Sequence, residues 1–249
     1  MDDDLPRVVV TTTASVDGRI SLGAHQRLLD GRVRARWATF EVPGAFADRH
    51  EQMGAAVILE GSGSFVDGDA EAPQWPAPRA SAEELQSDYL PRQAPRWLVV
   101  ADSRGRVEWT FFGDETIALH LLVTTDTPLG YLQRLRDLGV GYFVVGAGQV
   151  DPRLALVKIK SAFAVELVVA DAGGTMNASL LRAGLVNEID VITMPGLVGG
   201  VGAPTIMDGP PLGEHEWPIR LELIDSQVHN GAIRSRYRVL SRGRVMPTG

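Results

Sequence analysis

The sequence predicts an α/β protein: a mostly parallel central sheet flanked by helices, with an antiparallel hairpin at its C-terminal edge. Three observations predict this. Apolar runs such as Val8-Val9-Val10, Val57-Ile58-Leu59, Val144-Val145 and Leu167-Val168-Val169 are what strands buried on both faces require. Helical periodicity fills several of the intervals between such runs. Near the end, Asn230-Gly231 separates two alternating segments, the strongest short-range hairpin signal.

Taken in order, strands are predicted over 7–13, 55–60, 96–101, 118–124, 141–146, 164–170 and 188–194, each β-branched and bounded by turn residues. Helices are predicted over 34–53, with a break or kink near Pro43, and over 128–138, 152–163 and 175–183. In the third of these Pro152 suits a first turn, and Leu154, Val157 and Ala162 with Leu156 and Ile159 form the inward stripe. The hairpin strands are 221–228 and 233–240. The Pro-, Gly- and acid-rich stretch 61–79 is too short to divide the chain, so residues 1–249 read as one domain. That stretch is either a surface excursion or a substrate lid.

Composition removes several functional classes. With no cysteine among 249 residues, a disulfide scaffold and a thiolate metal site are excluded. Lys+Arg 24 against Asp+Glu 31 gives a net charge of -7, which argues against a nucleic-acid partner. The lysines are only Lys158 and Lys160, and the cluster Arg32, Arg34 and Arg36 reads as a solvated helix face. No apolar run reaches the roughly 18–20 residues of a membrane span, and the chain opens Met1-Asp2-Asp3-Asp4, so a cytoplasmic protein is expected. His25, His50, His120, His215 and His229 are isolated, and no metal site is expected from them. Neither a G-x-S-x-G elbow nor a phosphate loop ending in Gly-Lys-Ser/Thr occurs.

The most informative segment runs from Leu167 to Leu185: an apolar strand, Asp171-Ala172-Gly173-Gly174, then a helix opening Thr175-Met176-Asn177. Paired glycines let a phosphate approach the backbone, and a helix N-terminus offers free N–H groups and a positive dipole end. Thr175 and Asn177 add hydrogen-bonding groups. The alternative is a tight turn that needs glycine only for its φ angles. A G-x-G-x-x-G fingerprint is absent, and Gly146-Ala147-Gly148 lacks the third glycine and reads as a loop.

Together with Ala14-Ser15-Val16-Asp17-Gly18-Arg19-Ile20, that segment resembles the reductase domain of bifunctional riboflavin-biosynthesis deaminase-reductases, a family with the dihydrofolate reductase-like fold. Further matches are Leu185-Val186-Asn187-Glu188, Met194-Pro195-Gly196-Leu197-Val198-Gly199-Gly200 and Val100-Ala101-Asp102-Ser103-Arg104-Gly105-Arg106. The resemblance implies NADPH as cofactor. It implies pyrophosphate on Gly173, Gly174, Thr175, Met176 and Asn177, nicotinamide against Ala14, and hydroxyl contacts from Ser64 and Ser103. Arg104 or Arg106 then meets a 2′-phosphate. Asp171 matches the family's substrate-directed glutamate, one methylene shorter, and would accept hydrogen bonds from a pyrimidine-like heterocycle. Asp17 most readily caps its turn, with direct catalysis as the alternative.

The resemblance further implies hydride transfer to the ring-opened imine of a ribosylamine, in a homodimer paired through sheet edges, and without a deaminase domain because its His and Cys set is missing. The substrate half departs from the family. Its arginine before the second strand is replaced by His50-Glu51-Gln52-Met53-Gly54, with Arg49 nearest, and its aspartate motif is blurred into Asp67-Gly68-Asp69-Ala70-Glu71. The family's S-x-W-I element survives only as His25-Gln26-Arg27-Leu28-Leu29. Two other readings therefore stand beside the first: a same-fold NADPH-dependent reductase of a different heterocycle or imine, and a non-catalytic nucleotide- or flavin-binding module.

Overall fold

A computed structural model describes residues 4–67 and 69–240; the acidic opening Met1-Asp2-Asp3 and Gly68 of the blurred aspartate motif lie outside them. Seven parallel strands form most of one sheet: β1 Arg7–Ser15, β2 Val57–Gly61, β3 Trp97–Ala101, β4 Ala118–Val123, β5 Gly141–Val144, β6 Leu167–Ala170 and β7 Glu188–Met194. The hairpin β8 Leu221–His229 and β9 Ala232–Val239 joins antiparallel to β7, giving the order β5-β4-β3-β2-β6-β1-β7-β9-β8. Asn230 and Gly231 make its turn with φ of 49° and 92°, the left-handed conformation this pair tolerates. The α/β architecture with an antiparallel C-terminal edge is thus as the sequence predicts.

Alternation along the strands sorts the two faces. Val8, Val10, Val57, Leu59, Val99, Val168 and Ala170 point to one side, where they pack with Leu156 and Ile159 of α5 (Pro152–Phe163) and Leu180 of α6 (Gly174–Arg182). Asp151 caps α5 by accepting the N–H groups of Arg153 and Leu154, at 2.9 and 3.0 Å. Its buried stripe is Ala155, Leu156 and Ile159; Leu154, expected inside, is 38% exposed because it stands on the opposite side of the helix. His120 is fully buried among Trp97, Phe143 and Phe163, and burial holds its pKa down to about 3, so it is a neutral core residue.

The other face is covered in two parts. Over β3, β4 and β5 lie α4 (Leu129–Asp137), contributing Tyr131, Leu132 and Leu135, and a short α3 (Ala82–Leu85) that buries Leu85. Ser81 accepts the Glu84 N–H at 3.2 Å and so starts α3, a capping pattern present in the sequence but not read there as a helix. Over β1, β7 and β9 the single predicted helix 34–53 is instead two short ones, α1 Gly31–Trp37 and α2 Arg49–Gln52. Pro43 has no N–H, and Gly44 and Phe46 follow with φ of 69° and 55°, which turns the chain so that Phe40 and Phe46 cover Ile192, Met194 and Ala232.

One charged group is buried beneath this cover. Arg234 of β9 grips the wholly buried Asp190 of β7 through Nε at 3.0 and 3.1 Å and Nη2 at 2.6 Å, and its Nη1 donates to Gln52 of α2 at 3.2 Å. Removing one member leaves the other charged and unpaired in the interior. Asp190→Ala is expected to lower unfolding free energy by about 3–5 kcal/mol in urea denaturation. Arg238→Ala, on the exposed pair with Glu222, is expected to cost under about 1 kcal/mol.

Candidate active site

Parallel pairing puts the carboxyl ends of β1, β2, β3 and β6 on one rim, and the predicted site residues gather there. Leu59 of β2, Ala170 of β6 and Val10 of β1 are in register. The next residues, Glu60, Asp171 and Thr11, therefore form a polar row on the face covered by α2, continued by Asp190, which pairs with Thr11. The Asp171 backbone N–H donates to the Leu59 carbonyl at 3.0 Å, extending the ladder by one bond.

Two residues of α2 close on Asp171. Arg49 Nη2 donates to its carboxylate at 3.2 and 3.4 Å, and His50 Nε2 lies 3.3 Å from Oδ2 and 3.2 Å from Thr11 Oγ1. Burial holds the His50 pKa below its ordinary value, against the opposing pull of Asp171. Glu60 is pushed up to about 7, chiefly by burial and further by the Asp171 charge, while a hydrogen bond with Ser64 opposes the rise. Ser64, in the turn that follows β2, thus faces Glu60.

At the end of β6 the paired glycines do different things. Neither has a positive φ, so the turn does not need them for backbone conformation. A Cβ on Gly174 would overlap the Thr205 carbonyl and the Asp208 carboxylate, so this glycine answers to packing. A Cβ on exposed Gly173 would meet nothing. Among the described residues no acceptor takes the N–H groups of Gly174 and Thr175. The exposed Thr175 stands beside them, whereas Met176 leans on the core. Asn177, predicted to bond a ligand, is fully buried and donates Nδ2 to the Ala172 and Ile206 carbonyls at 3.1 Å each; it holds the turn shut from inside.

Ala14 is buried at the end of β1. Asp17, just beyond, is a clasp: it accepts the Ser15 hydroxyl at 2.7 Å and the N–H groups of Val198 and Gly199 at 3.1 and 2.7 Å, which hold its pKa down to about 2. In the turn after β3, buried Asp102 accepts the N–H groups of Arg106 and Val107 and the Tyr131 hydroxyl, and thereby presents Ser103 and exposed Arg104 at the rim. Arg106, the alternative phosphate partner, points inward instead. It donates to Ser62 Oγ at 3.1 Å and the Asp67 carbonyl at 2.8 Å, since the 61–79 stretch lies against this turn with Trp75 Nε1 bonded to the Gly105 carbonyl.

A family model described as the RibD C-terminal domain matches residues 6–233. The chain belongs to this family. It is 27% identical to the riboflavin biosynthesis protein RibD of Chlamydia trachomatis over 206 residues, 82% of this chain and 50% of that protein. It is 28% identical to the 2,5-diamino-6-ribosylamino-4(3H)-pyrimidinone 5′-phosphate reductase of Archaeoglobus fulgidus, over 82% of this chain and 87% of that one. The chain spans about half the length of the RibD proteins of Chlamydia it matches. In structure, Acinetobacter baumannii RibD superposes with a TM-score of 0.65 at 19% identity, covering 96% of this chain and 60% of the other. A riboflavin biosynthesis reductase from Saccharomyces cerevisiae gives 0.60 at 15% identity, with 96% and 92% covered. Both likenesses are of fold.

Within this RibD C-terminal domain, sequence reasoning missed Glu60, His50 and the reach of Arg49. The signal for Glu60 was an acid ending the apolar run Val57-Ile58-Leu59, and for the α2 pair a charged stretch placed before a buried strand. Among the described residues no helix is long and apolar enough to cross a membrane, and no cluster of three or more His, Cys, Asp or Glu side chains could hold a metal ion.

Two stability measurements follow from this geometry. Gly174→Ala should cost about 1–3 kcal/mol through overpacking, against about 1 kcal/mol or less for Gly173→Ala at the N-cap of α6. Because the Glu60 pKa is raised on folding, its cost is absent below the ordinary carboxyl range near 4.5 and grows as pH rises through about 7. Glu60→Gln should therefore stabilise the protein at pH 8 relative to pH 4.5, by on the order of 3 kcal/mol, read from melting curves at the two pH values.

Proposed function

We propose that this chain is an NADPH-dependent reductase of the riboflavin-pathway type, acting on a phosphorylated ribosylamino-pyrimidinone. The observation that carries the reading is Gly173. With ordinary φ and open space around it, Gly173 has no structural use beyond its place as the N-cap of α6, and a ligand pressed against the backbone adds one. The N–H groups of Gly174 and Thr175 and the Thr175 hydroxyl suit a pyrophosphate, with Met176 and Asn177 supporting the turn from within. Ala14 leaves room for a nicotinamide ring, Ser64 and Ser103 offer hydroxyls, and Arg104 offers charge to a 2′-phosphate. The donor set on the rim fits the cofactor.

When bound, NADPH supplies the hydride; the protein supplies position and charge. Asp171 accepts hydrogen bonds from the ring N–H or amino groups of the heterocycle, and Arg49 keeps its carboxylate oriented. Asp17 fixes the 196–199 loop against the end of β1 and touches no ligand in this scheme. We read residues 1–249 as one cytoplasmic reductase unit that forms a homodimer, for which the exposed edge strand β8, with Leu223 and Val228 outward, offers a pairing surface. A second reading, reduction of a different heterocycle or imine, is favoured by one observation: Arg49 is closed on Asp171 instead of standing open toward a phosphate.

The decisive assay is NADPH oxidation against the phosphorylated ribosylamino-pyrimidinone of riboflavin synthesis, with NADH and no-acceptor controls. Turnover is expected. Gly173→Val should weaken NADPH binding at least about tenfold, a 1.4 kcal/mol loss, by fluorescence titration of a protein shown by circular dichroism to remain folded. Binding without turnover would favour the second reading, and unaltered affinity in the variant would remove the pyrophosphate assignment.

A further inference from the structure

We propose that Glu60 holds the proton that is delivered to the nitrogen of the substrate's C=N bond as its carbon takes up hydride. This rests on the reductase reading above. It starts from an anomaly: β2 is Val57-Ile58-Leu59-Glu60-Gly61, a strand paired on both sides, and the acid near its end forms no ion pair among the described residues. The register places Glu60 beside Asp171 at the rim, on the same face, one strand nearer the Ser64 turn. The two carboxyl groups are treated differently by their surroundings. Asp171 has a guanidinium and an imidazole against it; among the described residues no cation pairs with Glu60.

The groups that face Glu60 from each neighbouring element are few. From the end of β6 comes the Asp171 carboxylate, and from the turn after β2 the Ser64 hydroxyl. From α2, Arg49 and His50 reach the row but engage Asp171. From the turn after β3, Arg106 is taken by Ser62 and the Asp67 carbonyl, and Asp102 by backbone N–H groups and Tyr131. A partly buried carboxyl beside a like charge, with no cation paired to it among the described residues, is pushed up to about 7.

The step balances. The imine carbon gains a hydride from the reduced nicotinamide, which is oxidised. The C=N π pair becomes the new N–H bond as the Glu60 O–H bond breaks, and the amine and a Glu60 carboxylate result. Solvent returns the proton before the next turnover.

The test uses the full-length protein and Glu60→Gln. In wild type, kcat/KM for NADPH oxidation with the ribosylamino-pyrimidinone phosphate should fall above about pH 7, and one 13C-labelled glutamate carboxyl should titrate near pH 7 without substrate present. In Glu60→Gln that resonance should be missing, kcat should drop by about 10²-fold or more with the alkaline limb flattened, and NADPH affinity by fluorescence should be unchanged. A wild-type carboxyl titrating only in the ordinary range, or a variant with an unaltered pH profile, would overturn the assignment while leaving the reductase reading intact. Absence of any wild-type turnover despite NADPH binding would overturn both.

Discussion

Parallel pairing of β1 with β6 on one side and β7 on the other is the constraint on which the rest of this structure depends. Because β2 joins the same row, four chain segments far apart in sequence bring their carboxyl ends to one rim in a fixed stagger. A one-residue slip in that stagger would turn Thr11, Asp171 and Glu60 into the apolar layer and Val10, Ala170 and Leu59 out of it. The hydrophobic packing of α5 and α6 against those valines and leucines therefore fixes the polar row as firmly as it fixes the core.

Along the rim the two halves of the site are built from different materials. Toward α6 the offered groups are mostly backbone N–H, held by contacts that face inward: Asn177 on the Ala172 and Ile206 carbonyls, and the 205–208 segment packed on Gly174. Toward α2 they are side chains, Arg49, His50, Asp171 and Glu60, whose charges answer one another. A backbone cradle tolerates little change in sequence without loss of shape, whereas a side-chain cluster can be rewritten residue by residue. That difference accounts for a chain that resembles its family closely in the glycine turn and loosely before the second strand.

The same difference governs what the sequence could reveal. Strands were legible because each is a short apolar run, and α5 was legible to the residue because Asp151 and Pro152 mark its start. The hairpin was legible from Asn230-Gly231. The segment 34–53 was not, because its apolar residues repeat at helical spacing while Phe40 and Phe46 are drawn onto β7 and β9 by tertiary packing that no local pattern records. In the site, the glycine turn and Asp171 announce themselves in one contiguous stretch. The closure of Arg49 and His50 on Asp171 spans more than a hundred residues, and the conversion of Glu60 from an ordinary acid to a proton-holding one comes from burial, which sequence does not display.

The place of β1 in this sheet has a consequence for how the protein is made. It leaves the ribosome well before its two partners, whose pairing begins at Leu167 and Glu188, so a long stretch of chain must be synthesised before either edge is satisfied. Until then Val8, Val9 and Val10 carry unpaired backbone groups on an apolar strand, the kind of segment that seeks company from other chains. Pairings of such long sequence separation also form slowly once the chain is complete. A nascent chain of this protein thus has an interval of exposure set by its topology, ending only when the glycine turn and the strand after α6 have emerged.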